Sequence, residues 1–320
     1  MAQEENTGIL GISLVDDQLR IVEGRKESAN EFQVTHLAQG RVRQPFNFEI
    51  FSDRNMPRRF AEDITRLCQT QDFGVKDVAF SLDSRMVLVK KVAVDQKLEA
   101  SRLGEHIGWE VEQFAISPIQ EYVVDYEPLN GSTNGPLSSM LVVVVRKKVI
   151  RFLKQLFKHT DLRLRVVDVD IFSAQRALQL NYDYTETDKI CLINVAEQKV
   201  HFTILKGKNF FLAQDIAPPH KRSFARSSES TARSISKELR RIILDHQLGK
   251  SVEDLSEIFL YGEAVEDGVL EGLQKSYDLR IDRANPFRKI KLPPQAQEDV
   301  SQARTERYMI SVGAALRGIQ

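Results

Sequence analysis

The sequence predicts an α/β protein made of two similar lobes, and two observations carry that expectation. Residues 9–22 (ILGISLVDDQLRIV) and 190–203 (ICLINVAEQKVHFT) align position by position as β-turn-β units, matching Ser13 to Asn194, Val15 to Ala196 and Asp16 to Glu197. Each unit opens the same succession of three strands, a helix and a strand. A chain of 320 residues has room for two cores of ordinary size.

The elements follow in order from hydrophobic periodicity. Residues 9–14 alternate between two faces, Asp16 and Asp17 supply a turn, 19–23 return, and 31–36 add a third strand. Phe60, Ile64 and Leu67 recur at helical spacing within 57–70, with Pro57 near the start, and 78–81 follow as a strand. A small α+β insertion comes next. It comprises a strand at 86–94, a helix over 99–114 with Leu103, Ile107, Val111 and Phe114 along one side, a strand at 120–126, a polar hairpin loop at 130–136 and a strand at 139–145. A basic-edged helix over 147–159 carries the stripe Val149, Phe152, Leu153, Leu156 and Phe157, and leads to a strand at 165–169 and a helix from about Phe172. The second half repeats the hairpin and adds a strand at 209–213. A Pro, Ser, Arg and His rich loop at 218–231 leads to a helix over 234–246, a strand at 257–261, a helix over 265–277, a strand at 279–281 and a final helix of small residues over 306–316. The expected division is 1–85 for the N-terminal part of the first lobe, 86–146 for the insertion, 147–187 for completion of that lobe and a connecting helix, and 188–320 for the second lobe.

Composition narrows the function classes. Lys plus Arg equals Asp plus Glu at 45 each, so net charge gives no drive toward nucleic acid or an anionic surface, and any partner must be recognised locally. The two cysteines, Cys68 and Cys191, stand alone in apolar segments, which points to buried thiols rather than zinc or a disulfide framework. The N-terminal residues are polar and acidic, and the longest apolar run, 140–145, is far short of a membrane helix, so the expectation is a cytoplasmic protein with no membrane span of its own.

With these elements in place, particular residues resemble a known family. The first turn, Gly11-Ile12-Ser13-Leu14-Val15-Asp16-Asp17-Gln18-Leu19-Arg20, stands where the family reads roughly G-I-D-I-G-S-S-S-V-K, and Ile193-Asn194-Val195-Ala196 stands where it reads I-D-I-G. LRLRVVDVDIFSAQRAL (162–178), with Asp168 and Asp170, resembles its strand-to-helix stretch, and IFLYGEAVEDGVLEGLQ (258–274) its adenosine-side L-S-G-G turn and helix. Asn285-Pro286-Phe287 matches its N-P-F, and VGAALRG (312–318) its terminal G-L-A-L-R. In that order and spacing the chain resembles the PilM family, the actin-like components of type IV pilus assembly, and more distantly the cell-division family FtsA. The resemblance implies an actin-like (ribonuclease H-like) duplicated two-lobe fold with a small α+β insertion in the first lobe. The short 218–231 segment implies a reduced outer subdomain in the second.

The loops depart from what nucleotide chemistry requires. Glycines in phosphate loops let the backbone reach positive φ and approach an anion, a freedom Val15 and Ala196 lack. The loop aspartates that contact magnesium in such ATPases are Ser13 and Asn194 here, poor ligands for a hard cation. Asp16, Asp17 and Glu197 add negative charge, which at about 4 Å from a phosphate costs roughly 4 kcal/mol at an effective dielectric near 20. Gly262 is retained, while the second glycine of that pair is Glu263. Lys199 and Arg20 are nearby point charges but do not replace the glycines.

Other constellations have blander readings. Asp168 and Asp170 read as caps of the helix that follows, the six histidines (His36, His106, His159, His201, His220 and His246) as surface or satisfied core side chains, and Trp109 as core. Lys147, Lys148, Arg151, Lys154 and Lys158 read mainly as the solvated face of one helix, with a patch for an acidic or lipid-proximal partner as the lesser alternative. The leading expectation is a pseudo-ATPase scaffold, without catalytic residues, metal or cofactor, peripheral at the inner membrane through a partner. The resemblance implies that a groove between the first lobe and the insertion, near the 86–94 strand and the 99–114 helix, receives the cytoplasmic peptide of a PilN-like inner-membrane protein, alongside other pilus or secretion assembly proteins and oligomers of the chain itself. The alternatives are an actin-like ATPase that binds ATP with magnesium and couples it to assembly, and an FtsA-like polymerising protein.

Overall fold

The computed structural model describes residues 8–28, 31–129, 137–217 and 227–319. The loop expected at 130–136 and the greater part of the one at 218–231 lie outside these residues. The helix expected from residue 234 begins earlier, as α5 (Ser228–Asp245), because the Ser227 hydroxyl accepts a hydrogen bond from the Ser230 amide and caps it.

The two lobes share one topology. The first sheet holds β1 (Gly8–Val15), β2 (Gln18–Ser28), β3 (Glu31–Arg41), β4 (Asp77–Leu82) and β8 (Arg163–Val169), in the order β3-β2-β1-β4-β8. The second holds β9 (Lys189–Val195), β10 (Val200–Lys206), β11 (Asn209–Ile216), β12 (Glu257–Tyr261) and β13 (Arg280–Arg283), in the order β11-β10-β9-β12-β13. In each, three antiparallel strands are followed by two parallel ones. The hairpin registers coincide as well, since Ser13 pairs with Arg20 and Asn194 with His201 at aligned positions. A slip of one residue would invert every side chain, so equal register means that the two hairpins bury equivalent faces.

The sheets stack with helices between and outside them. α1 (Met56–Cys68) and α3 (Lys147–Lys158) cover the outer face of the first sheet, where Phe46, Phe60, Phe80 and Phe152 form an edge-packed aromatic cluster. α4 (Asp170–Asn181) and α8 (Met309–Ile319) fill the space between the sheets, in a core that takes Val15 and Val22 from one lobe and Leu192, Ala196 and Phe259 from the other. The small residues of α8 have a direct cause, because a Cβ on Gly313 would overlap the carbonyl oxygen of Ser173 on α4. α5 and α6 (Asp267–Gln274) cover the outer face of the second sheet, and α7 (Pro294–Gln302) lies against β3. Among the described residues the second lobe carries one sheet.

The insertion is a separate sheet in the order β5-β7-β6, made of β5 (Val87–Asp95), β6 (Tyr122–Pro128) and β7 (Leu137–Arg146). α2 (Ala100–Glu112) packs Ile107 and Val111 on the face lined by Val92, Met140, Val142 and Val144. Trp109 corrects the sequence expectation. It is 58% exposed and stacks on His106, because it lies on the side of α2 away from the apolar stripe. Both thiols are unbridged, Cys191 buried and Cys68 half-buried, and burial pushes the Cys68 thiol up to about 11.

Candidate functional site between the two hairpins

The aligned hairpins bring their turns to the junction of the lobes. Ser13 is buried between Arg20 on β2 and Ser81 on β4, and Asn194 is buried between His201 on β10 and Tyr261 on β12. Val15 and Ala196 pack into the core the lobes share. The side-chain amide nitrogen of Asn194 and the Tyr261 hydroxyl are buried with no hydrogen-bond partner among the described residues. Positive φ in the first turn is carried not by a glycine but by Asp16, at 54°, a residue type that tolerates the left-handed region. Gly262 has a φ of 108°, and a Cβ there would overlap Asn194 Oδ1 and the Val195 carbonyl. Its retention therefore follows from the packing of two adjacent strands.

The acidic turn residues do not face an empty cleft. Asp16 binds Arg85 at 2.8 Å and Asp17 lies 3.4 Å from Arg41, so their charge is compensated, while Glu197 is exposed. Lys199 and Arg20, the point charges of the two hairpins, are also committed. Lys199, 2% exposed, donates from Nζ to Asp83 at 2.7 Å, Ser84 Oγ at 2.9 Å and Asp170 at 3.1 Å. Arg20 reaches the other way and donates to Glu263 at 2.6 Å, with Arg307 3.5 Å from the same carboxylate and the Tyr308 ring 5.9 Å away. Each hairpin thus sends one cation into the opposite lobe. The receiving carboxylates are equivalent by the duplication. Ser81 pairs with Ser13 as Tyr261 pairs with Asn194, and two residues further on stand Asp83 and Glu263.

The two latches differ electrostatically. Burial opposes charge on Asp83, yet Lys199 and then Arg85 outweigh it and hold the carboxyl well below its ordinary value, while Lys199 is correspondingly raised by Asp170 and Asp83 against its own burial. In the Arg20–Glu263 pair burial prevails, raising the Glu263 carboxyl and lowering the Arg20 guanidinium. The sign of the pH dependence follows. A depressed Asp83 stabilises the fold above its ordinary 3.8 and loses that contribution as pH falls further, and a raised Lys199 stabilises below its ordinary 10.5 and loses it as pH rises. The raised Glu263 works in the opposite sense to Asp83, so stability declines gently as pH climbs from 4.5 toward its folded value. Urea midpoints measured across pH should show these limbs, and Lys199→Met should make the alkaline one shallower, leaving the part due to the buried thiols and tyrosines that burial also raises.

Sequence reasoning missed Asp83, Arg85 and Arg307, which carry no motif, and misassigned Asp168 and Asp170. Val169, not an aspartate, occupies the N-cap of α4. Asp170 is the first helical residue and accepts from Lys199 and the Ser84 amide, while Asp168 accepts from Ser173 and pairs with Arg176 at 2.8 Å. His201 is buried and paired with Asp215.

A groove of about 900 Å³ lies between the first lobe and the face of the insertion sheet opposite α2. Val123 of β6, Val143 of β7, Val166 and Val167 of β8 and Phe172 of α4 supply its apolar part, and Asp125, Asp168 and Arg176 its polar part, while Tyr126 turns its hydroxyl toward Gly104 of α2. β6 and β8 are each the last strand of their sheet and both line it, so two strand edges without a sheet neighbour face one space.

Two lobes of one topology, meeting at equivalent hairpins with a small sheet inserted in the first, define an actin-like ATPase fold. Comparison with solved structures agrees. A chain of the PilM-PilN type IV pilus biogenesis complex is similar at a TM-score of 0.80 with 18% identity over 98% of each chain. A Bacteroides thetaiotaomicron protein with an actin-like ATPase fold and unknown function gives 0.50 with 11% identity over 89% of this chain and 95% of its own. The nucleotide-free diol dehydratase-reactivating factor gives 0.55 with 7% identity over 98% and 99%. The family model of the type IV pilus assembly protein PilM matches residues 11–216, and the chain belongs to that family. No curated protein sequence matched. No described helix is long and apolar enough to cross a membrane.

Proposed function

We propose that this chain is a scaffold of type IV pilus assembly that binds the cytoplasmic peptide of a PilN-like inner-membrane protein in the groove between β6 and β8, and that it works without nucleotide. The observation that carries the reading is the pairing of a part-apolar groove flanked by two strand edges with a hairpin junction whose cations Arg20 and Lys199 are paired within the chain. An extended peptide can add to such an edge through its main chain and seat side chains among Val123, Val143 and Val167. Membrane association then comes through the partner. The solved complex that resembles this chain contains PilN, which supports the choice of partner.

One calorimetric experiment tests both halves. The PilN-like protein's N-terminal peptide is titrated into the native chain with and without millimolar ATP and magnesium, and into a Val123→Asp variant. This side chain is 41% exposed, so the variant keeps its fold. Peptide affinity should be indifferent to nucleotide and at least about tenfold weaker in the variant, a loss of about 1.4 kcal/mol. Unchanged affinity in the variant would remove the groove from the argument, and magnesium-dependent nucleotide binding would restore the ATPase.

A further inference from the structure

We propose that the outer face of the α1–α3 layer is a docking surface for anionic phospholipid. α3 contains no acidic residue, and its solvent side carries Lys147, Arg151, Lys154 and Lys158 at spacings of four, three and four, while Val149, Phe152, Leu153 and Leu156 are buried beneath. None of these cations lies within ion-pair distance of a carboxylate among the described residues. On α1, Arg58 and Arg66 share Glu62 and Asp63 with Arg43, so that side also carries an excess of positive charge. The chain as a whole is neutral, which makes the excess a property of this face and not of the composition.

Two further observations favour a lipid surface as the occupant. Phe48, at the rim of the layer, is 43% exposed with the Lys148 ammonium 5.6 Å from its ring, an aromatic beside a cation at an open surface. Ile150 of α3 also lines the peptide groove, so the basic face and the groove adjoin. If the groove holds a peptide whose protein is anchored in the membrane, the adjoining face lies toward the headgroups; this step alone rests on the proposed function.

The test is cosedimentation of the purified chain, without any partner, with vesicles of phosphatidylcholine alone or containing phosphatidylglycerol. Binding should require phosphatidylglycerol and disappear as salt rises from about 0.1 M to 1 M, where the Debye length falls from about 10 Å to 3 Å. Each cation near an anionic surface is worth roughly fivefold, so Arg151→Gln/Lys154→Gln/Lys158→Gln should weaken binding about a hundredfold. A matched variant on the second lobe, Lys237→Gln/Lys250→Gln/Lys275→Gln, should bind as the native chain does. The α3 side chains replaced are exposed and make no ion pair, so thermal unfolding should not change. Equal binding to both vesicle types, equal loss in the two variants, or capture on polyglutamate without vesicle binding would each overturn the proposal. Because no peptide is present, the result stands whether or not the groove reading does.

Discussion

Truncating Lys199 to alanine should lower stability by about 3–5 kcal/mol, the usual cost of leaving a buried charge without its partner. Nζ is the centre of a buried cluster that joins the turn of the second hairpin to the β4–β5 connection and to the start of α4. Asp83 would keep Arg85 at 2.6 Å, so the orphan is Asp170, left with the Ser84 amide at 3.1 Å and hydroxyl at 3.4 Å. A Lys199→Met/Asp170→Asn double variant should regain most of the loss, because a buried pair replaced by neutral groups of similar shape is often close to neutral. Urea unfolding of the native chain, Lys199→Met, Asp170→Asn and the double gives the coupling directly. A single-variant cost below about 1 kcal/mol, the range of an exposed pair, would show that Lys199 does not hold the lobes together.

The lobes were legible in the sequence because 9–22 and 190–203 align without a gap as two strands around a polar turn. The register equivalence of Ser13 with Asn194 follows from that alone. The latches were not legible, since Lys199 meets Asp83 across 116 residues and Arg20 meets Glu263 across 243, and no local spacing encodes such pairs. Reading Ser13, Asn194 and Glu263 as departures from a phosphate loop said nothing of their surroundings, in which Glu263 meets Arg20 across the lobes. Trp109 could have been placed correctly, because the stripe of Leu103, Ile107 and Val111 puts it on the far side of α2; residue type outweighed phase. α7 left no signal, since only Ala296 of its nine residues is buried.

Replacing Glu263 with glycine, the residue its position resembles losing, should cost stability and create an anion site at the same stroke. Arg20 is 3% exposed, and without Glu263 its guanidinium keeps only the Leu19 carbonyl at 3.1 Å, with Arg307 close by and no carboxylate between them. The stability loss should again be about 3–5 kcal/mol. A multivalent anion could then supply the missing charge, so inorganic pyrophosphate at a hundred times its dissociation constant should return about 2.7 kcal/mol to the variant. The native chain, where Glu263 already answers Arg20, should show no such shift. Thermal unfolding with and without pyrophosphate reads both, and an Arg20→Met/Glu263→Leu double variant, which removes the charges together, should be near native in stability and indifferent to the anion. If the native chain is stabilised by pyrophosphate as much as Glu263→Gly, the carboxylate is not what keeps anions out. The hairpin junction would then have to be treated as a working phosphate site rather than one closed by the protein's own charges.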